Sequence, residues 1–225
     1  MSTAVTFQNA ERINRSLTAD AERRLLRCIA VRLPRAINSD HLTLLGFISQ
    51  LLAGLSYALC TYSSLGLLAA SAFIVLNWFG DSLDGTVARV RNEQRPRYGF
   101  YVDHIVDAFG ATALMTGLAL SGYLHWIVAA AMLTAFLLCS IESFLATYTL
   151  GRFHLSHAIF GPTEVRILLI IGNCFLLHDP HAHLFGRAFL LFDVGGALAA
   201  LGMFAMAAVA ALRHTRTLYD IERIR

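Results

Sequence analysis

The chain has 225 residues, 18 Lys+Arg against 15 Asp+Glu, a net charge of +3, and 56% hydrophobic against only 15% charged residues. With a mean hydropathy of +0.58, this balance argues against a freely soluble enzyme and for a polytopic membrane protein. Cys28, Cys60, Cys139 and Cys174 are scattered and read as small buried hydrophobes, not as a disulfide framework or a zinc cluster.

In chain order, Leu25, Leu26, Ile29, Ala30 and Leu33 recur at helical spacing among Arg23, Arg24, Arg27 and Arg32, the pattern of an amphipathic helix lying along a membrane surface. Pro34 is expected to end it, with Ser39 or Asp40 capping the next helix. Apolar runs then extend from about Leu42 to Cys60, Leu65 to Phe79, Phe100 to Leu120, Trp126 to Leu150, Val165 to Leu177 and Phe189 to Leu212. Each is near the length that spans a bilayer as a helix, the fifth being the shortest, and none alternates as a barrel strand would. The expected fold is therefore all-α: six transmembrane helices preceded by the interfacial helix. That divides the chain into a cytoplasmic N-terminal segment (1–40), a transmembrane catalytic domain (41–213) and a cytoplasmic tail (214–225).

All 18 basic residues are arginine. Seventeen gather before the first run, in the second link (Arg89, Arg91, Arg95, Arg97), around the fourth (Arg152, Arg166) and after the last run (Arg213, Arg216, Arg223, Arg225), and the links after the first, third and fifth runs contain only Arg187. The positive-inside rule then puts both termini and these links in the cytoplasm, and the expected location is the cell inner membrane. Outside lies the turn His178-Asp179-Pro180-His181-Ala182-His183, whose three histidines a polar turn explains without a metal.

The chemistry is concentrated around the second link. Asp81 and Asp84 share a helix face at a spacing of three, as do Asp103 and Asp107 at a spacing of four. If the two helices run antiparallel around the link, the four carboxylates converge near one membrane face. Four anions at the edge of a low-dielectric slab call for positive charge among them. Two divalent ions about 3.5–4 Å apart would supply it, and oxygen ligands favour Mg2+ or Mn2+. Gly85 and Gly99 leave the backbone open to a flat group, and Arg89 is suited to a bidentate phosphate contact. A solvated cytoplasmic charge run accounts for Arg91, Arg95 and Arg97.

In these residues the chain closely resembles the CDP-alcohol phosphotransferases, also called CDP-alcohol phosphatidyltransferases. Their signature runs Asp, two residues, Asp-Gly, two residues, Ala-Arg, a gap, then Gly, three residues, Asp, three residues, Asp. Asp81, Asp84, Gly85, Ala88, Arg89, Gly99, Asp103 and Asp107 fill every fixed position. The resemblance implies a homodimer with one cytoplasm-facing site per subunit. It implies that Asp81, Asp84 and Asp103 are primary metal ligands, and that Asp107 both helps hold a metal and serves as general base. Gly85 and Ala88 would border the cytidine, and Arg89 would assist at the nucleotide or phosphates. An acceptor hydroxyl would attack the phosphorus distal to cytidine, releasing CMP and forming a phospholipid or related phosphodiester.

The substrates are less determined than the reaction. One branch of the family takes CDP-diacylglycerol and a water-soluble acceptor; another takes CDP-choline or CDP-ethanolamine and diacylglycerol. Asp103-His104 and Gly161-Pro162-Thr163-Glu164 resemble the second branch, but Arg166 departs from the small residue expected there. Glu164, Arg166 and Arg152 are candidates for the acceptor side, the arginines suiting a phosphorylated acceptor, and a cap and interfacial pair explains Glu164 and Arg166 equally well. Glu142 and Asp193, inside apolar runs, need partners across helices or across a dimer. Asn77 is expected to make a polar helix contact and Trp78 a packing or interface contact. A small cation transporter accounts for intramembrane acids but not for their clustering at one face; a structural subunit accounts for the helices but not for the signature. Nucleic acid is not an expected partner, because the arginines follow topology.

Overall fold

A computed structural model describes residues 19–150, 162–184 and 186–223. Seven α-helices dominate: α1 (Ala19–Arg32), α2 (Ser39–Ala58), α3 (Leu65–Val90), α4 (Pro96–Leu120), α5 (Trp126–Leu150), α6 (Pro162–Leu176) and α7 (Leu191–Ile221). Among the described residues, α2, α3, α5 and α7 are long and apolar enough to cross a membrane. The 25-residue α4 carries Arg97, Asp103 and Asp107 in its first half, and α6 has only 15 residues. Leucine and isoleucine side chains such as Leu44, Ile48, Leu55, Leu198 and Leu201 point outward, as lipid-facing positions do. The protein is thus a largely helical, polytopic integral membrane protein.

Helix α2 is the spacer of the fold, packing on both α3 and α4. Glycines make the close approach possible. A Cβ on Gly80 would come within 2.6 Å of Gly46 N and Leu42 O, and one on Gly54 within 2.5 Å of Ala113 O. Behind this contact, Tyr57 Oη donates to Asn173 Oδ1 at 2.9 Å and Asn173 Nδ2 donates to Ser71 Oγ at 2.9 Å, joining α2, α6 and α3. Every buried polar atom in this chain of contacts therefore meets another.

The amphipathic α1 buries Leu26 and Ala30 against Leu42, Leu83 and Val87, so its apolar face is used at least in part on the protein itself. Pro34 follows it as expected, but the next helix is capped by Asn38, not by Ser39 or Asp40. Asn38 Oδ1 accepts from His41 N at 2.9 Å while His41 Nδ1 accepts from Asn38 N, a reciprocal box in which His41 takes the place of the usual Glu or Gln.

The turn after α3 ends in a Schellman arrangement. Asn92 adopts φ 57, Asn92 N donates to Arg89 O at 3.3 Å, and Glu93 N donates to Ala88 O at 2.9 Å. Arg91 then donates to the carbonyls of Ile37 at 2.6 Å and of Leu33 and Pro34 at 3.0 Å, locking this link to the turn between α1 and α2. Arg95 pairs with Asp40 and stacks on Tyr98. Two of the link arginines thus have structural work that a solvated charge run did not require.

Helices α5 and α7 pack side by side and are pinned at two levels. His125 donates its backbone N–H to Asp193 Oδ1 at 2.8 Å and its ring pairs with the same carboxylate, and farther along His214 Nδ1 lies 2.5 Å from Glu142 Oε1. Because residue number rises in the same sense from one tie to the next on both helices, α5 and α7 run parallel. Both intramembrane acids therefore find histidines within the same chain. Before α7, His181–Leu184 and Arg187–Leu190 pair as a short antiparallel hairpin, so the helix of the last apolar run begins at Leu191 and not at Phe189.

Candidate active site

The signature residues arise from two helix ends brought back together by the turn at Asn92. Asp81 and Asp84 lie toward the end of α3, and Asp103 and Asp107 lie in the first turns of α4. The two helices meet here through α2, whose Thr43, Gly46 and Gln50 share a face by helical spacing. All four aspartates, with these three residues and Asn77, line one small cavity of about 10 Å³, the size of a single water. A larger cavity of about 230 Å³ adjoins it through the shared residues Thr43, Asp84 and Asp103. Gly85, Ala88, Arg89 and Gly99 line this larger space, as do His104 and Thr147. The two pairs that helical spacing put on shared faces converge here, and the division between the two cavities separates Asp81 and Asp107 from the glycines.

Each carboxylate has a distinct setting. Asp84 is 6% exposed. Its Oδ2 accepts from Thr43 Oγ1 at 2.7 Å and its Oδ1 from the backbone N–H of Gly85, while Asp81 and Asp103 lie close enough to repel it. Asp81 Oδ2 accepts from Arg166 Nη2 at 2.7 Å, and Arg166 Nε donates to Asn77 Oδ1 at 2.9 Å. Asn77 in turn donates to Gly46 O at 2.9 Å, so the arginine, the asparagine and the α2 backbone form one line of contacts. Burying a carboxylate without a cation or donors is costly, and Arg166 and Thr43 offset part of that cost.

Gly85 and Gly99 differ in their surroundings. A Cβ on Gly85 would lie 3.3 Å from Arg89 Nη1, because the guanidinium folds back over it and donates from Nη2 to Thr86 Oγ1 at 3.0 Å. A Cβ on Gly99 would meet nothing within 4 Å. His104 Nδ1 lies 2.6 Å from Phe100 O, and its ring packs edge-on to Phe144 at 4.8 Å between centroids, which fixes the imidazole at the cavity wall.

Of the acceptor-side candidates, Arg166 touches a signature residue, Asp81. Glu164 is buried in the first turn of α6 and lines neither cavity, and Arg152 lies outside the described residues. Sequence reading missed Thr43, Gln50 and Glu22. Glu22 Oε1 accepts from Trp78 Nε1 at 2.8 Å, Ser82 Oγ at 3.3 Å and Thr163 Oγ1 at 2.9 Å, tying α1 to α3 and α6 beside Asp81. The signal available was a polar residue at three- or four-residue spacing in largely apolar α2, and an acid beside the arginines of α1.

A hard divalent cation fits the donor chemistry, since the carboxylates facing the small cavity offer oxygen alone. Among the described residues no three His, Cys, Asp or Glu side chains are drawn together as a ready chelate. In this arrangement Arg166 supplies the positive charge at Asp81. In the turn before the hairpin, Asp179 accepts from His181 N at 2.9 Å, and that hydrogen bond holds its carboxyl below the usual range. The hairpin histidines form no metal cluster among the described residues.

A family model described as CDP-alcohol phosphatidyltransferase matches residues 37–212, which include every signature position. The chain is also similar to an archaetidylinositol phosphate synthase of Pyrococcus horikoshii, with 29% identity over 121 residues, or 53% of this chain. The aligned region spans 57% of that relative's length.

Proposed function

Because the chain belongs to the CDP-alcohol phosphatidyltransferase family, we propose that it transfers a substituted phosphate from CDP-diacylglycerol to an acceptor hydroxyl, releasing CMP and forming a phospholipid or related phosphodiester. The observation that carries this reading is the pair of adjoining cavities. The four signature aspartates line the inner one, and the signature glycines and Arg89 line the outer one.

In this mechanism Asp81, Asp84, Asp103 and Asp107 hold two Mg2+ or Mn2+ ions. Bound there, such ions would supply positive charge to offset that of the pyrophosphate and the phosphoryl oxygens. Gly85, Ala88 and Gly99 leave room along the outer cavity for the cytidine, and Arg89 donates to the donor's phosphates. Thr43 holds the Asp84 carboxylate in its working orientation. Asp107 accepts the acceptor's hydroxyl proton as the acceptor oxygen bonds to phosphorus and the phosphorus–oxygen bond to CMP breaks, so CMP leaves with that electron pair.

Arg166 favours a phosphorylated acceptor, since a guanidinium beside the carboxylate cavity is an anion-binding group. The relative's name, archaetidylinositol phosphate synthase, is in keeping with such a product. Glu164 and Arg152 belong to the same acceptor side. With α4 and α6 completing six spans, α1 lies at the cytoplasmic interface and the site opens to the cytoplasm from the inner membrane. The functional unit is a homodimer with one site in each subunit.

The test is CMP release by the purified protein in lipid-containing detergent with Mg2+ or Mn2+. CDP-diacylglycerol is offered with glycerol phosphate, inositol phosphate or serine, and CDP-choline or CDP-ethanolamine with diacylglycerol. Acceptor-dependent release from CDP-diacylglycerol alone supports the reading. Release only from the amino-alcohol donors reverses the donor, and release from none overturns the activity.

A further inference from the structure

Gln50 stands midway along α2, where Ile48 and Leu51 beside it face outward as lipid-facing positions do. An amide at this depth is costly unless it is hydrogen-bonded. The Gln50 side chain turns instead into the carboxylate cavity, where it makes no hydrogen bond among the described residues. It enters through a slot left by Gly110, buried on α4, since a Cβ there would overlap the Gln50 amide. Gly110 lies three residues beyond Asp107 and therefore on the same face of α4. A missing side chain on one helix thus admits a neutral donor and acceptor from another into a water-sized space lined by Asp107.

From this geometry we infer that Gln50 is a further catalytic residue, whose amide contacts the acceptor hydroxyl and holds it against Asp107. The inference rests on the reaction proposed above. Gln50 Nε2 donates to a lone pair of the acceptor oxygen while the acceptor's O–H is directed to Asp107. Asp107 takes the proton, the oxygen–phosphorus bond forms and CMP departs; the amide exchanges no proton. Its effect is orientation, so it acts on use of the acceptor and not on binding of the donor.

The experiment compares the unmodified chain with Gln50→Leu, Gly110→Ala and the double variant. Each is assayed with the donor and acceptor pair that supports CMP release, varying each substrate in turn. Gln50→Leu removes the amide at similar volume, and Gly110→Ala displaces it without removing it. Both single variants should lower kcat/KM for the acceptor about tenfold or more with donor KM unchanged, and the double variant should be no worse than the poorer single. Near-normal acceptor kinetics in Gln50→Leu would overturn the inference, as would a donor KM raised as much as the acceptor KM, which would mark a merely structural role. Gln50→Leu decides the matter even if Gly110→Ala fails to fold. If the unmodified chain releases no CMP from any pair, the proposed reaction itself falls and this role falls with it; an active unmodified chain with an unaffected Gln50→Leu overturns only the role of Gln50.

Discussion

Arg166 donates to the Asp81 carboxylate at 2.7 Å and, through Nε, to the side-chain oxygen of Asn77 at 2.9 Å, joining the first turns of α6 to the acidic end of α3. One planar guanidinium thus serves both a signature carboxylate and the asparagine that holds the α2 backbone. A divalent ion at Asp81 would compete with this contact. Arg166→Ala should therefore lower the maximal rate of CMP release about tenfold while reducing the divalent ion concentration needed for half-maximal activity. Arg166→Lys should fall between, because it keeps the charge but loses the fork. A metal titration of all three proteins checks this, and identical curves would leave Arg166 outside the site.

The proposed division of labour among the aspartates separates binding from chemistry. Asp107→Asn should cut turnover by roughly 10²–10⁴-fold, the usual scale for a lost general base, while keeping much of the nucleotide affinity. Asp84→Ala should instead weaken metal-dependent nucleotide binding. Asp84 sits deepest, accepts from Thr43 Oγ1 at 2.7 Å, and is the aspartate shared by both cavities apart from Asp103. Single-turnover rates and equilibrium nucleotide binding distinguish the two effects. Near-normal turnover in Asp107→Asn would remove it as the base.

Much of the site was legible because helix spacing converts sequence separation directly into shared faces: Asp81 with Asp84, and Asp103 with Asp107, needed no tertiary information to be placed together. What spacing could not supply was the element between them. Helix α2 is apolar nearly all round, as a lipid-facing helix is, so Thr43, Gly46 and Gln50 stand out only when α3 and α4 are known to pack on either side. Partners of the intramembrane acids were hidden for a similar reason. His125 and His214 are 68 and 72 residues from Asp193 and Glu142, and only the parallel packing of α5 and α7 brings them into reach. The Asn38 cap was missed because His41 fills the capping-box position normally read from Glu or Gln.

Glu22 connects α1 to the residues beside the site. Loss of its carboxylate strands the Trp78 indole N–H and the hydroxyls of Ser82 and Thr163. Glu22→Ala should destabilise the protein by about 1–3 kcal/mol, the cost of partly buried donors left unsatisfied, and Glu22→Gln, which retains an accepting oxygen, should recover part of it. Thermal unfolding in one detergent gives the comparison. The chain has two tryptophans, so Trp126→Phe leaves Trp78 as the sole indole reporter. In that background Glu22→Ala should shift the emission and Glu22→Gln should shift it less; unchanged emission and midpoint in both would refute the contact.

Gly99 allows a ligand's approach to be separated from a defect in folding. It lies in the first turn of α4 on the wall of the outer cavity, and a Cβ added there meets nothing within 4 Å. Gly99→Ala therefore carries no steric cost in the protein alone, and alanine's higher helix propensity adds up to about 1 kcal/mol of stability. If the donor's cytidine or phosphates press against this backbone, the same methyl group stands in their way. Donor KM should then rise several-fold with an unchanged or higher unfolding midpoint, and acceptor KM should not move. Gly85→Ala does not permit so clean a reading, because its Cβ would lie 3.3 Å from Arg89 Nη1 and the guanidinium must shift to admit it. An unchanged donor KM in Gly99→Ala would place the nucleotide elsewhere in the outer cavity, whereas a raised one accompanied by a lower midpoint would trace the loss to folding and leave the contact with Gly99 unsupported.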